Sequence, residues 1–454
     1  MRQVVLLGTG SADGWPNPFC GCASCRSEQR DGRVRGQTSA LVDGRLLLDA
    51  GPETVRAAAR LGVDLAGVRT VLITHDHPDH CAPAFLLYRS WAQDAPLHVV
   101  GPASVVEQAR AWVDPAGRVD FTAVSPGDRL QVDGYDVRVL AADHEREAVL
   151  YDVGDSGSRL LYATDTGPLP DPTVAAAAGA AYDLVLLEET FGDHARHGTR
   201  HLDLGTFPDQ LRRLSEVGAV VASTDVIAVH LSHHNPPTPE LDRRLAAWRA
   251  RTVPDGTTVQ LGAPVPPADP PTRTLVLGGA RSGKSREAQR LLTAEPAVTY
   301  VATGYPPDPA GAQGHADPEW AERVRRHRAD RPAHWSTVET LALEDLLARP
   351  GEPLLVDCLT LWLTRVMDQQ DAWDDTAWAG GAETAVLQRI DRLTAAWTDA
   401  RRRVVAVSNE VGQGLVPGSA AERRFRDLMG RLNAEVAARS EDVRWCVAGR
   451  VRAW

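Results

Sequence analysis

Three short stretches of this 454-residue chain carry residue types at spacings that can do chemistry. The densest is Thr74-His75-Asp76-His77-Pro78-Asp79-His80, at the end of the apolar run 70–74. Three imidazoles and a carboxylate at a strand end can converge on a pair of divalent ions: imidazole suits zinc, manganese or iron, and a carboxylate adds a hard oxygen ligand. Two such ions can generate a nucleophile from water and clamp the attacking and leaving oxygens of a phosphoester. The second stretch is Cys20-Gly21-Cys22-Ala23-Ser24-Cys25, which holds three of the six cysteines. Six cysteines are too few for a disulfide scaffold of this length, so the cluster reads as a thiolate metal site. The third, Gly278-Gly279-Ala280-Arg281-Ser282-Gly283-Lys284-Ser285, follows the apolar run 274–277 and opens a helical pattern. It satisfies GxxxxGK[ST], in which backbone N–H groups and the helix N-terminus cradle phosphates. Lys284 is placed to reach the β/γ oxygens and the Ser285 hydroxyl to ligate Mg²⁺. Lys284 is the only lysine in the chain, every other basic side chain being arginine. A compact ammonium is thus kept where a guanidinium cannot replace it. Asp357, ending the apolar run in LLVDC, is placed to hold the Mg²⁺ through water.

The elements that must position these residues fall into two sets. Between them lies GAPVPPADPPTR, residues 262–273, whose five prolines make a stiff, extended spacer. The expected layout is 1–262, a linker at 263–272, and 273–454. Before the linker, β-like runs dominate at 4–7, 40–42, 46–48, 70–74, 137–140, 159–163, 184–187 and 226–231, with helical patterns at 52–61, 81–92, 103–113, 203–216 and 238–250. After it, strands and helices alternate, which predicts a parallel sheet covered by helices. Both halves are thus α/β. The 49 basic and 60 acidic residues leave a net charge of −11, so the chain lacks the broad basic surface of a nonspecific nucleic-acid binder. No apolar run reaches the ~18 residues of a membrane span. The N-terminal MRQVVLLGTG reads as a first strand rather than a signal peptide, and a cytoplasmic location is expected.

The HxHxDH pattern of residues 75–80 resembles the metallo-β-lactamase superfamily. The resemblance implies an αββα sandwich in which His75, His77 and His144 hold one metal and Asp79, His80 and His230 the other, with Asp165 bridging. Within that superfamily the front half is similar to the cyclic-phosphate phosphodiesterase branch. The CxCxxC of that branch implies a structural zinc on Cys20, Cys22, Cys25 and His233, with His234 a competing fourth ligand. The branch also implies a histidine beside the metals that contacts phosphate and moves a proton: His201 matches best, with His197 and His194 close by. The two catalytic ions would be Zn²⁺ or Mn²⁺. A β-lactamase role is disfavoured by the absence of a secretion signal. A tRNA 3′-processing nuclease remains open, though no inserted arm to grip tRNA is evident. A small-molecule phosphodiester is the expected substrate.

The back half resembles the bifunctional adenosylcobinamide kinases and adenosylcobinamide-phosphate guanylyltransferases, which implies a P-loop, RecA-like domain with a mostly parallel sheet. The residues that carry this are GGARSGKS, YVATG at 300–304, the element from Asp317 through Trp320 to His327-Arg328, and NEVGQGLVP at 409–417. Trp320 stands where that family usually has methionine, an exchange expected to matter little. The resemblance implies that ATP or GTP with Mg²⁺ phosphorylates adenosylcobinamide. GMP then passes from GTP through a covalent bond to His327. Ala302, Thr303, Gly304, Arg328, Glu339 and Asp357 join the nucleotide site, and flanking arginines neutralise triphosphate charge. It also implies a homo-oligomer, a trimer by likeness. The fusion suggests that the front half hydrolyses a phosphoester of the same pathway. A general cyclic-phosphodiester hydrolase and a non-catalytic scaffold are the competing readings.

Overall fold

The computed structural model describes residues 1–113, 117–194, 196–197, 200–262, 270–306, 318–329 and 331–453. Much of the proline-rich linker (263–269) and Asp317 lie outside them. The chain forms two compact units, Met1–Ala268 and Asp269–Trp454.

Among the described residues the first unit contains two seven-stranded sheets. One runs in the order Thr258–Gln260, Gln3–Gly8, Ser39–Val42, Leu46–Leu48, Thr70–Leu72, Leu97–Gly101, Val119–Ala123. The other runs Ala250–Arg251, Asp225–Val229, Leu184–Glu188, Arg159–Ala163, Val149–Gly154, Tyr135–Ala141, Arg129–Val132. Period-two alternation decides what each side chain does. Leu46 and Leu48 face the second sheet and pack with Tyr151, Leu160, Tyr162 and Leu186. Leu47 points the other way, with Val71, Val99, Val105 and Ala109, beneath the helices Ala84–Ser90 and Ala103–Arg110. Helices therefore cover a two-sheet sandwich, the expected αββα arrangement. Strands Arg159–Ala163, Leu184–Glu188 and Asp225–Val229 pair in parallel, so their C-terminal ends open at one edge.

The second unit is built on one seven-stranded sheet in the order Ser336–Glu339, Thr299–Ala302, Leu354–Asp357, Val404–Asn409, Arg273–Gly278, Asp442–Val447, Arg450–Ala453. Every pairing is parallel except the C-terminal hairpin. Its core joins Leu275, Val301, Leu354, Val356, Val404 and Ala406 to the helices Leu359–Gln369, Glu383–Thr398 and Ala420–Ala437.

Several strands escape the sequence pattern. Val149–Gly154 reads as interrupted because of Asp152, yet the whole strand is buried. Its carboxylate is satisfied on the strand's other face, away from the inter-sheet core, by Arg159 Nε at 2.6 Å, the Tyr182 hydroxyl at 2.7 Å and the Arg138 guanidinium. Val119–Ala123 has no fully buried residue and carries little apolar signal. The helix Leu359–Gln369 also escapes, because its apolar residues run on from the preceding strand.

One buried ionic network anchors the second unit. Glu287 receives Arg290 Nε at 2.9 Å and Arg444 Nη1 at 2.8 Å, and Arg444, 1% exposed, also donates to Asp442 at 2.7 Å. Burial pushes the Glu287 carboxyl up, but the two guanidiniums outweigh it and bring it from 4.5 down to about 2. A lowered carboxyl contributes stability that is complete above pH 4.5 and is lost as pH falls through about 2. Glu287→Gln should therefore cost about 3 kcal/mol or more in urea unfolding at pH 7, by leaving a buried guanidinium half-paired. The loss should shrink progressively between pH 4.5 and 2.

Candidate functional site

The front site gathers at the open edge of the sandwich, each member just past the end of a strand. Ligand atoms of His75, His77, His144 and Asp165 lie within 4.8 Å of one another, and those of Asp79, His80, Asp165 and His230 do likewise. Asp165 belongs to both groups and divides its oxygens between them. Oδ2 lies 3.3 Å from His75 Nε2, while Oδ1 lies 3.0 Å from His230 Nε2 and 3.3 Å from His80 Nε2. All seven residues expected to hold metal converge.

The donor set fits a pair of divalent cations. Burial alone disfavours charge on His230, yet Asp165 and Asp79 raise its ring to about 10, and Asp165 and Asp49 likewise hold His80 well above the usual imidazole range. The cluster therefore favours positive charge at its centre. Among the described residues His80 Nε2 is buried without a hydrogen bond, aimed at that centre. The residues that aim the ligands were not visible in the sequence. Asp49 accepts His80 Nδ1 at 2.8 Å, the Thr74 amide at 2.8 Å and the Tyr162 hydroxyl at 3.0 Å. Thr190 bridges His230 Nδ1 at 2.9 Å and Glu188 at 2.5 Å. Asp49, Asp165 and His230 have φ of 56°, 52° and 56°, left-handed backbone that costs about 1–3 kcal/mol per residue without glycine. The only sequence signal for Asp49 is a carboxylate directly after Leu46–Leu48, in the same strand-end position as Asp165.

His201 lies beside this centre, its ring 5.1 Å from His144 and 5.6 Å from His230. Its Nδ1 sits 3.1 Å from Glu188 Oε1. Burial works against charge on His201, but Glu188 and Asp165 raise it overall. His194 and His197 do not reach the centre; they group with His234 instead. His233 joins Cys20, Cys22 and Cys25, with its Nδ1 3.3 Å from Cys20 Sγ. Cys22 caps the helix Ala23–Arg30 and accepts the Cys25 amide. Burial pushes the Cys22 thiol up, yet that amide and His233 bring it down to about 7.

The back site lines a pocket beside the helix Lys284–Leu291. Gly283, at φ 98°, turns the chain from the loop into that helix, a conformation that glycine adopts without a Cβ penalty. A Cβ on Gly278 would stand 2.4 Å from Ser282 Oγ and 2.6 Å from the Cys446 carbonyl. Gly279, Ala280 and Arg281 are exposed at the loop tip, and Arg281 takes a φ of 56°. Lys284 Nζ rests on the Gly279 carbonyl at 3.0 Å. Lys284, Ser285, Ala302, Gly304, His327, Arg328, Glu339 and Asp357 all line the pocket.

Three refinements follow. Thr303 does not line the pocket: it is buried, with its hydroxyl donating to the Cys358 carbonyl at 2.7 Å and accepting the Cys358 amide at 2.9 Å, so it braces the chain after Asp357. The arginines around His327 divide by helix face. Arg323 and Arg328 line the pocket, whereas Arg325 and Arg326 pair with Glu322 in solvent. Trp320 walls the pocket, its ring 2.9 Å from where a Cβ on Gly304 would stand. Tyr300 is a further member: its hydroxyl donates to Asp357 at 2.9 Å, and the Arg331 guanidinium lies over its ring.

Because Asp49 orients His80 without entering the ligand set, Asp49→Ala should weaken metal binding at the front centre by about 10–100-fold, read by chelator competition. Unchanged affinity would deny it that positioning role.

Comparison with known proteins gives each half a family. The cobinamide kinase/cobinamide phosphate guanyltransferase profile matches residues 274–453, and the β-lactamase superfamily domain profile matches 44–234. The bifunctional adenosylcobalamin biosynthesis protein CobP of Pseudomonas aeruginosa is 43% identical over 182 residues, 39% of this chain and 94% of its own. A ribonuclease Z of Mycobacterium marinum is 28% identical over 290 residues, 58% of this chain and 96% of its own. A crystal structure of a diphosphatase from the PhnP family covers 57% of this chain and 97% of its own at 22% identity, with a TM-score of 0.46. Through its C-terminal unit the chain belongs to the cobinamide kinase/cobinamide phosphate guanyltransferase family, fused behind a metallo-β-lactamase-superfamily domain.

Proposed function

We propose that His327 is the nucleophile of the guanylyl transfer and that one pocket serves both reactions of the C-terminal unit. The family's activity is cobinamide kinase and cobinamide phosphate guanyltransferase, in cobalamin biosynthesis. The observation that supports the residue roles is that His327 lines the same pocket as Lys284, Ser285 and Asp357. In the kinase step Lys284 neutralises β/γ oxygens as the γ-phosphoryl passes to the aminopropanol hydroxyl of adenosylcobinamide; Ser285 and Asp357 would hold the Mg²⁺ of the nucleotide, which would offset phosphate charge. In the second step an imidazole nitrogen of His327 attacks the α-phosphorus of GTP. A P–N bond forms and the bond to pyrophosphate breaks. The phosphate oxygen of adenosylcobinamide phosphate then attacks, breaking the P–N bond and returning His327. Arg323 and Arg328 offset the triphosphate charge, and Glu339, held by Arg328 at 2.8 Å, faces the base or ribose.

For the front unit we propose a metal-dependent phosphodiesterase acting on a small phosphoester, in which His201 protonates the leaving oxygen. Two divalent ions, Zn²⁺ or Mn²⁺, would be held by His75, His77, His144, Asp79, His80, His230 and the shared Asp165. They would supply Lewis acidity and lower the pKa of a water. Cys20, Cys22, Cys25 and His233 would hold a structural Zn²⁺ in a closed set. A substrate from the same pathway, such as the phosphate of a lower-ligand riboside, is suggested by the fusion. A second reading, action on an RNA end, is favoured by the relatives named ribonuclease Z. A precursor tRNA and a small cyclic phosphodiester offered to the same preparation discriminate the two.

Incubation with [α-³²P]GTP and Mg²⁺ should give an acid-labile labelled band that disappears in His327→Ala and persists in His201→Ala. No label on folded, nucleotide-binding protein would refute the covalent step. His201→Ala should lower phosphodiester hydrolysis by about 100- to 10,000-fold. Because Glu188 raises the His201 ring, the protonated acid is present at low pH and lost as pH rises through the raised value. The alkaline fall of the rate should therefore vanish in His201→Ala.

A further inference from the structure

His194, His197 and His234 form a third histidine group that neither reading uses. Their ligand nitrogens lie within 4.8 Å of one another. The ring centroids are 3.7 Å apart for His194 and His197, 4.6 Å for His197 and His234, and 5.0 Å for His194 and His234. Among the described residues no ring nitrogen of the three has a side-chain hydrogen bond, so ring packing with Phe191 is what accompanies the convergence, not a hydrogen-bond network. Three imidazoles turned on one point, partly open to solvent, are a donor set for a borderline divalent ion, with room left for water.

We propose that these three histidines bind a divalent transition-metal ion, distinct from the catalytic pair and from the Cys₃His site, that pins the segment leading to His201. The placement supports the second half of this. His234 follows the structural ligand His233 and belongs to the turn after His230, while His194 and His197 belong to the segment that ends at His201. Phe191 ties the two together. Its ring stacks on His197 at 4.1 Å and 6° and meets the edge of His201 at 5.4 Å. Gly192 backs directly onto the same turn, since a Cβ there would stand 2.4 Å from the His234 carbonyl oxygen. An ion on the three rings therefore cross-links two segments that already touch, beside the residue assigned to proton transfer.

The test is zinc titration of untagged, metal-stripped full-length protein against a chromogenic chelator, comparing wild type with His194→Gln/His197→Gln and, separately, His234→Gln. Wild type should bind one equivalent more than either variant, more weakly than the rest; without zinc the three melting temperatures should agree, and once the tighter sites are filled only wild type should gain a further rise as zinc is added. Equal stoichiometry in all three proteins would overturn the site. If the extra equivalent is present but proteolysis of the 192–200 segment is unchanged by it, the pinning role is overturned.

Discussion

A buried carboxylate organises the front unit. Asp165 is 2% exposed, and around it stand Asp79 and, one layer back, Asp49, both buried. Burying an unpaired carboxylate costs several kcal/mol. The sandwich meets that cost by bringing four imidazoles against these oxygens, with His80 Nε2 3.0 Å from Asp79 and 3.3 Å from Asp165. Parallel pairing sets the ends of the strands at one edge, so ligands from distant parts of the sequence arrive together. Left-handed backbone at Asp49, Asp165 and His230 turns each side chain into the centre. The rigid sheets over-determine those three conformations, which is how such strain persists.

The two units answer opposite electrostatic problems. The front centre concentrates buried carboxylate oxygens, which push His80 and His230 toward their charged forms, and so attracts cations. The back pocket concentrates Lys284, Arg323, Arg328 and Arg331, and so attracts a polyphosphate. Asp357 and Glu339 are its acidic counterpoints, the first held by Tyr300 and the second by Arg328. Trp320 and Tyr300 wall the same pocket, so the space beside His327 is partly apolar.

What was legible in the sequence was what local spacing dictates. His75 through His80, the three cysteines and GGARSGKS occupy fixed offsets on one turn, and the structure brings their distant partners His144, Asp165, His230, His233 and Asp357 to them. What escaped depends on contacts across the fold. Asp49 is one acidic residue after an apolar triplet, and only the parallel register of Leu46–Leu48 against Thr70–Leu72 puts it behind His80. Thr303 sits between two pocket residues, but strand alternation turns it inward. Asp152 disguised a fully buried strand because its three partners come from elsewhere in the sheet and its neighbours.

The pairing of two phosphoryl chemistries with separate metal demands on one chain is what we propose. It is tested most directly by stripping the protein with chelator and reading both activities on the same sample, with bis(p-nitrophenyl) phosphate as the hydrolysis probe and [α-³²P]GTP as the labelling probe. Mg²⁺ alone should restore labelling of His327 and leave hydrolysis silent, because imidazole-rich sites hold Zn²⁺ or Mn²⁺ far better than Mg²⁺. Zn²⁺ or Mn²⁺ should then restore hydrolysis. Hydrolysis that survives stripping, or that returns with Mg²⁺ in step with labelling, would contradict two independent centres.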